Sequence, residues 1–238
     1  MHILPFISTL VTALFTAAVF IRYVRRGGPH LLLWTLGLVF FCIGTLAEVL
    51  LSFHFSGLVL RLWYLCGAML TAAWLGQGSL HLLVRRGGLA WTLTGILAAV
   101  SLLAAGLVLT APLTAAASSY NLALPISSQY KDILTRSGLI ILLTILLNIY
   151  GTLTLVGGAI YSAVIFWRKR VLKNRMIGSI LIAAGALAPA MAGSFVKMGV
   201  VDGLYASELI GVILMYIGFM QSTGQPAAKP AVDGPTPI

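Results

Sequence analysis

Charge is scarce in this chain, and negative charge is scarcest. Only 8% of the 238 residues are charged and 60% are hydrophobic, with a mean hydropathy of +1.03. Five residues are acidic: Glu48, Asp132, Asp202, Glu208 and Asp233. About a quarter of the residues of an ordinary globular domain are charged, so a soluble surface cannot be built here. We therefore expect an all-α membrane protein whose solvent is the bilayer.

Cysteine and histidine are also rare, and motifs for catalysis or cofactor binding are absent from the sequence. Cys42 and Cys66 lie inside apolar runs, where we expect buried side chains rather than a disulfide or a metal pair. The four histidines form no HExxH motif, and no P-loop, dinucleotide fingerprint or nucleophile elbow is found. We therefore predict no enzymatic activity, no cofactor and no metal.

Seven apolar segments are long enough to cross a bilayer, which requires about 20 residues per helix. Their predicted bounds are 3–24, 31–53, 58–84, 90–111, 138–167, 176–198 and 205–222. Together they form one seven-helix transmembrane domain, 1–222. The tail that follows, 223–238, is rich in Pro, Gly and Ala, and we expect it to be disordered and cytoplasmic.

The pentapeptide VRRGG occurs at 24–28 and again at 84–88, each time between two apolar segments. Arginine suits a cytoplasmic turn and Gly-Gly permits a tight reversal, although an internal duplication is a second explanation. Eleven of the fifteen Lys and Arg residues fall on the side of these turns. The positive-inside rule therefore predicts an outer N-terminus, a cytoplasmic C-terminus and a multi-pass protein of the cell (inner or plasma) membrane. It also explains the net charge of +10 without a nucleic-acid partner.

Polar residues from four of the predicted helices are expected to meet at a similar depth near the outer face. They are Glu48, Arg61, Tyr64, Lys197 and Glu208. We expect Glu48 to pair with Arg61 and Glu208 with Lys197, because each pair joins consecutive helices at matching depth. Two interpretations remain open: a ligand-binding pocket, or polar contacts that only hold the helices together.

The long outer connection, 112–137, contains the segment SSQYKDIL. We predict a short helix there, capped by Ser127 or Ser128. It is either a lid over the mouth of the bundle or a spacer at the level of the lipid headgroups.

The overall pattern resembles a known membrane module. The seven segments, the basic passage FWRKRVLKNRMIGSILIAAGALAPAMAGSF and a last helix ending near Ser222 are similar to the seven-helix N-terminal sensor region of bacterial histidine kinases and diguanylate cyclases. The resemblance covers about residues 3–222. It implies ligand or membrane sensing that is passed to a cytoplasmic output domain.

We therefore expect a sensor or receptor-like module, surrounded by membrane lipids, that binds a small or lipid-like ligand near the outer face. It would act through a cytoplasmic or membrane protein partner. The alternatives are a small transporter or permeation module and a structural subunit of a larger membrane complex. Transport predicts a polar lining that runs from Glu48 to Gln77 and His81, whereas a sensor predicts an outer cavity that is closed at its inner end.

Overall fold

The chain is almost entirely helical where its structure is described. The computed structural model describes residues 3–84, 88–168, 173–197 and 203–223, with the backbone alone at 190–197 and 204. These residues form eight main helices: α1 (Ile3–Arg26), α2 (Pro29–Leu51), α3 (Gly57–Leu83), α4 (Leu89–Thr110), α5 (Ile126–Ile133), α6 (Gly138–Arg168), α7 (Lys173–Lys197) and α8 (Gly203–Thr223). A short 3-10 helix, Ala115–Ser119, lies between α4 and α5. The described residues contain no β-strand, only an isolated bridge between Leu113 and Leu134.

Six of these helices, α1 to α4, α6 and α8, are long and apolar enough to cross a membrane. This confirms the predicted all-α, multi-pass class. Each of the seven predicted segments coincides with a long helix to within three residues at either end. The agreement is close because a chain in lipid must satisfy its backbone hydrogen bonds internally, so an apolar run of this length becomes a helix. The last turns of α7 fall among the side chains that are not described, and most of the predicted tail lies outside the described residues.

The long helices alternate in direction and define two faces of the bundle. We call one the basic face, defined by Arg22, Arg26, Arg168 and Arg175; the opposite, loop face carries the connection 112–137. At the basic face the first VRRGG copy is a tight turn, since Gly27 and Gly28 have φ angles of 66° and 105°. Three residues of the second copy, 85–87, lie outside the described residues.

Glycine allows α7 and α8 to pack closely. A Cβ atom added to Gly185 would lie 2.5 Å from the carbonyl oxygen of Gly211, and one added to Gly218 would lie 2.6 Å from that of Gly178. Helices in lipid gain no hydrophobic driving force from contacting each other. Small residues favour their association because they let the backbones pack closely. These close approaches form a glycine seam between α7 and α8.

One of the spanning helices is irregular. Between Trp63 and Leu70, α3 widens into a π-helix, and the backbone N–H of Thr71 bonds to the carbonyl of Cys66, five residues earlier. Regular α-helical spacing does not hold through this stretch. A π segment turns the side chains away from the directions that regular spacing predicts, and such segments often occur at functional sites.

Candidate functional site

A cavity of about 400 Å³ lies in the half of the bundle near the loop face. Helices α2, α3, α6, α7 and α8 form its walls, and α5 contributes residues at its mouth. We call it the carboxyl cavity. Its polar lining consists of Thr45, Glu48, Thr71, Ser127, Tyr130, Lys131, Asn148, Thr152 and Glu208.

Glu48 and Glu208 lie side by side on the wall of this cavity, close enough for their carboxyl groups to interact. Glu48 is only 3% exposed, and its Oε1 accepts a hydrogen bond of 2.9 Å from the Trp63 indole N–H. The Oε2 atoms of both glutamates are buried, and no described residue outside the pair donates a hydrogen bond to them. Two neighbouring buried carboxylates would repel each other, so we infer that the pair holds one shared proton.

The predicted ion pair between Glu48 and Arg61 is wrong. Arg61 donates from Nε and Nη2 to the carbonyl oxygen of Ala111, at 3.0 and 2.7 Å. Ala111 caps the C-terminal end of α4, where carbonyl groups lack helical partners and the helix dipole is negative. The guanidinium therefore neutralises a helix end instead of a carboxylate.

The other predicted site residues have different outcomes. The side chain of Lys197 lies outside the described residues, so its pairing with Glu208 stays a prediction. Tyr64 is 2% exposed and lies beside the cavity rather than on its lining, with its hydroxyl 2.9 Å from Thr144 Oγ1. Glu48 and Glu208 thus line one cavity as an acidic pair, an arrangement that the predicted acid–base pairs did not include.

Two residues outside the predicted set complete the wall. Trp63 is the donor to Glu48, and nothing in the sequence singles it out, because its direction depends on the π segment. Asn148 donates from Nδ2 to the carbonyl oxygens of Ala68, at 2.8 Å, and Thr144, at 2.9 Å. An amide within a long apolar helix is a detectable signal, and it marks the contact between α6 and the π segment.

The connection 112–137 folds over the carboxyl cavity. Its ends are joined by hydrogen bonds from Thr114 N–H to the Ile133 carbonyl, at 2.9 Å, and from Thr135 N–H to the Pro112 carbonyl, at 3.0 Å. The ring of Tyr130 on α5 lies 5.2 Å from that of Trp63. These contacts support the lid interpretation over the spacer.

The start of α5 differs from the prediction, because the helix is capped by Pro125, with Ser127 and Ser128 inside its first turn. The connection is also tied to α2, since the Tyr120 hydroxyl donates to the Leu51 carbonyl at 3.2 Å. Burial, assisted by the charge of Glu48, raises the pKa of Tyr120 to about 12. The phenol therefore stays protonated and able to donate at physiological pH.

The inner end of the carboxyl cavity is apolar and is lined by Phe41, Leu75, Leu155 and Met215. Gln77 does not extend the polar lining, because its Nε2 donates to the Ala90 carbonyl, at 2.8 Å, and to Thr94 Oγ1, at 2.7 Å. Nε2 of His81 is also hydrogen bonded to Thr94 Oγ1. These polar groups therefore serve the contact of α3 with α4 and, through a hydrogen bond from the Tyr150 hydroxyl to Gln77 Oε1, its contact with α6.

A second cavity, of about 640 Å³, lies at the basic face and is lined by Arg22, Arg26, His30 and Arg175 among others. We call it the arginine cavity. Along α8 it approaches the carboxyl cavity to within one helical turn, between Met215 and Phe219.

The fold and these cavities define an all-α, multi-pass membrane protein with an acidic and a basic internal site. In the described residues, no group of three His, Cys, Asp or Glu side chains is placed to hold a metal ion. No protein-family model, curated protein or solved structure matches the chain.

Proposed function

We propose that this chain is a non-enzymatic, receptor-like protein of the cell membrane that binds a small molecule in the carboxyl cavity. In this proposal it has seven spans, with its N-terminus outside and its C-terminus in the cytoplasm. The observation that carries the proposal is the buried acidic pair at the wall of the cavity, Glu48 and Glu208, whose Oε2 atoms accept no hydrogen bond from any other described residue. Buried acceptors without donors cost free energy, and a ligand that supplies a donor recovers it.

The lining favours a ligand with an ammonium group. With one shared proton, the carboxyl pair has a net charge of −1, and the aromatic rings of Trp63 and Tyr130 add faces that attract cations. Lys131 also lines the cavity, but it is exposed on α5, where water screens its charge. A cavity of about 400 Å³ suits a small molecule with an apolar body, which the inner end would hold.

The same cavity supports a sensing role. In the proposed orientation it lies near the outer surface with α5 over it, so an occupant contacts both the spanning helices and the cover. The apolar inner end supports binding without passage. The signal would leave at the basic face through a protein partner, as the resemblance to histidine kinase and diguanylate cyclase sensor regions implies.

Thermal unfolding of the purified protein in detergent tests the proposal, with 2-phenylethylamine as the probe and 2-phenylethanol as its uncharged counterpart. At ten times the dissociation constant, a ligand stabilises its site by about 1.4 kcal/mol. We expect a saturable rise in Tm with the amine, a weaker one with the alcohol, and no rise with the amine in Glu48→Gln or Glu208→Gln.

Asp132→Asn is the matched control, because it makes the same kind of change on an exposed residue of α5. It should keep the response to the amine. If both probes leave the unfolding of the wild type unchanged, the carboxyl pair is a structural tie and the receptor proposal fails.

A small transporter is the second candidate, and the position of the arginine cavity favours it. The two cavities share α2, α3, α6, α7 and α8, and one helical turn separates them along α8. Uptake of radiolabelled 2-phenylethylamine into proteoliposomes distinguishes the two functions. A transporter gives uptake that Glu48→Gln abolishes, whereas a receptor binds the amine without moving it.

A further inference from the structure

The arginine cavity concentrates positive charge without a counter-charge. Arg22, Arg26, Arg175 and His30 line it, and no Asp or Glu of the described residues does so. Arg26 and Arg175 lie close enough to Arg22 for their charges to act on it. Guanidinium groups repel one another, so this arrangement is stable only with an anion or abundant water among them.

The guanidinium of Arg22 is fixed at the edge of the cavity. Its Nη2 donates to the Thr223 carbonyl oxygen at 2.7 Å, and its Cζ lies 5.9 Å from the centre of the Phe219 ring. These contacts hold the side chain at the end of α8. Arg26 and Arg175 are exposed at the same cavity, so their N–H groups are free to orient towards an incoming anion.

The deeper part of the cavity has a different character. Its walls include Leu31, Trp34, Ile182 and Phe219, which are all buried and apolar. Trp34 is 7% exposed, and its indole N–H has no acceptor among the described residues. Ser222 also lines the cavity, and its hydroxyl lacks a described partner. Apolar walls with unpartnered donors suit an amphiphile that carries ester oxygens, whereas a free inorganic anion would leave those walls unused.

We propose that the arginine cavity binds an anionic phospholipid, with the phosphate among Arg22, Arg26 and Arg175 and the glycerol esters and acyl chains against the apolar walls. Basic pockets between membrane helices commonly hold such headgroups. A zwitterionic lipid has the same phosphate, but its ammonium group would meet the positive charge of the arginines. The site is separate from the carboxyl cavity, so the proposal does not depend on the receptor function.

Native mass spectrometry of lipid binding to the delipidated, full-length protein tests the inference. The probes are phosphatidylglycerol, phosphatidylcholine and inorganic phosphate. We expect phosphatidylglycerol to bind at least tenfold more tightly than phosphatidylcholine. Inorganic phosphate at millimolar concentration should displace little of it, because the phosphate ion cannot replace the acyl-chain contacts.

The variant Arg26→Gln with Arg175→Gln removes two charges from the cavity. Each basic side chain near an anionic lipid contributes about a factor of five to affinity, so this variant should bind phosphatidylglycerol about 25-fold more weakly. The matched control is Arg25→Gln with Arg168→Gln, which removes two exposed charges from the same face but none from the cavity. It should change the affinity by less than threefold.

Three results would overturn the inference. Equal losses in the two double variants would show a general attraction of the basic face for anionic lipid. Equal affinities for phosphatidylglycerol and phosphatidylcholine would show that the arginines do not select the headgroup. Full displacement of the lipid by inorganic phosphate would identify the site as one for the free ion.

Discussion

Replacement of Glu48 tests whether the buried carboxyl pair shares a proton. Glutamine at this position keeps an oxygen that accepts from Trp63 and adds an N–H that donates to Glu208. We therefore expect Glu48→Gln to lower the free energy of unfolding by less than about 1 kcal/mol. If Glu48 were instead a carboxylate paired with a basic side chain, the same variant would leave that basic group buried and unpaired. Such a loss costs about 3–5 kcal/mol.

Alanine at the same position removes both hydrogen bonds. The Trp63 N–H, which lies on a residue that is 7% exposed, is then left without its acceptor at a cost of about 1–3 kcal/mol. The bond to Glu208 involves a charged pair and contributes about 1.5–3 kcal/mol. Glu48→Ala should therefore cost at least about 2.5 kcal/mol, well beyond the glutamine variant.

The measurement is the free energy of unfolding in mixed micelles, by titration with dodecyl sulfate. A double-mutant cycle of Glu48→Ala with Trp63→Phe isolates the indole hydrogen bond, and we expect a coupling of about 1 kcal/mol. Asp132→Ala should change stability by less than about 0.5 kcal/mol, because Asp132 is exposed. Equal costs for glutamine and alanine at Glu48 would refute the shared proton, and a cycle without coupling would refute the bond to Trp63.

Three further predictions concern the fold around the site. Gly185→Ala should cost about 1–3 kcal/mol in detergent unfolding because its Cβ meets the facing backbone, whereas Gly157→Ala, which has open space, should stabilise by about 0.5–1 kcal/mol. The Tyr120 phenol has a raised pKa, so its contribution to stability should be complete below about pH 10 and lost as the pH rises towards 12; absorbance titration and Tyr120→Phe check this. Asn148→Leu should cost about 1–2 kcal/mol, because the Ala68 carbonyl loses a donor, and should speed hydrogen exchange in the π segment.

The helices were predictable because one physical constraint governs them. A bilayer excludes unpaired backbone groups, so length and apolarity alone fix where a spanning helix starts and ends. The result holds even for α3, whose predicted bounds, 58–84, match Gly57–Leu83 although its interior is irregular. Hydropathy is insensitive to whether a turn has α or π geometry.

The site was only partly predictable, because its contacts depend on which helices are neighbours. The shared depth of Glu48 and Glu208 followed from topology and was visible in the sequence. The partner of Arg61 was not, since charge complementarity favours a carboxylate and the sequence does not reveal that the end of α4 lies beside it. The role of Trp63 was not predictable either, because the direction of its side chain depends on the π segment.

The two cavities differ in charge, and this difference bears on the choice between receptor and transporter. The carboxyl cavity presents an acidic pair, and the arginine cavity presents three guanidinium groups. A simple cation is attracted by the carboxyl cavity and repelled by the arginine cavity. A simple anion is repelled by the carboxyl cavity and attracted by the arginine cavity. A path for one such solute normally keeps a lining of one sign, so that each site lowers the same barrier. The opposite charges therefore favour two ligands, a small amine on the loop face and an anionic lipid on the basic face, separated along α8 by the turn between Met215 and Phe219.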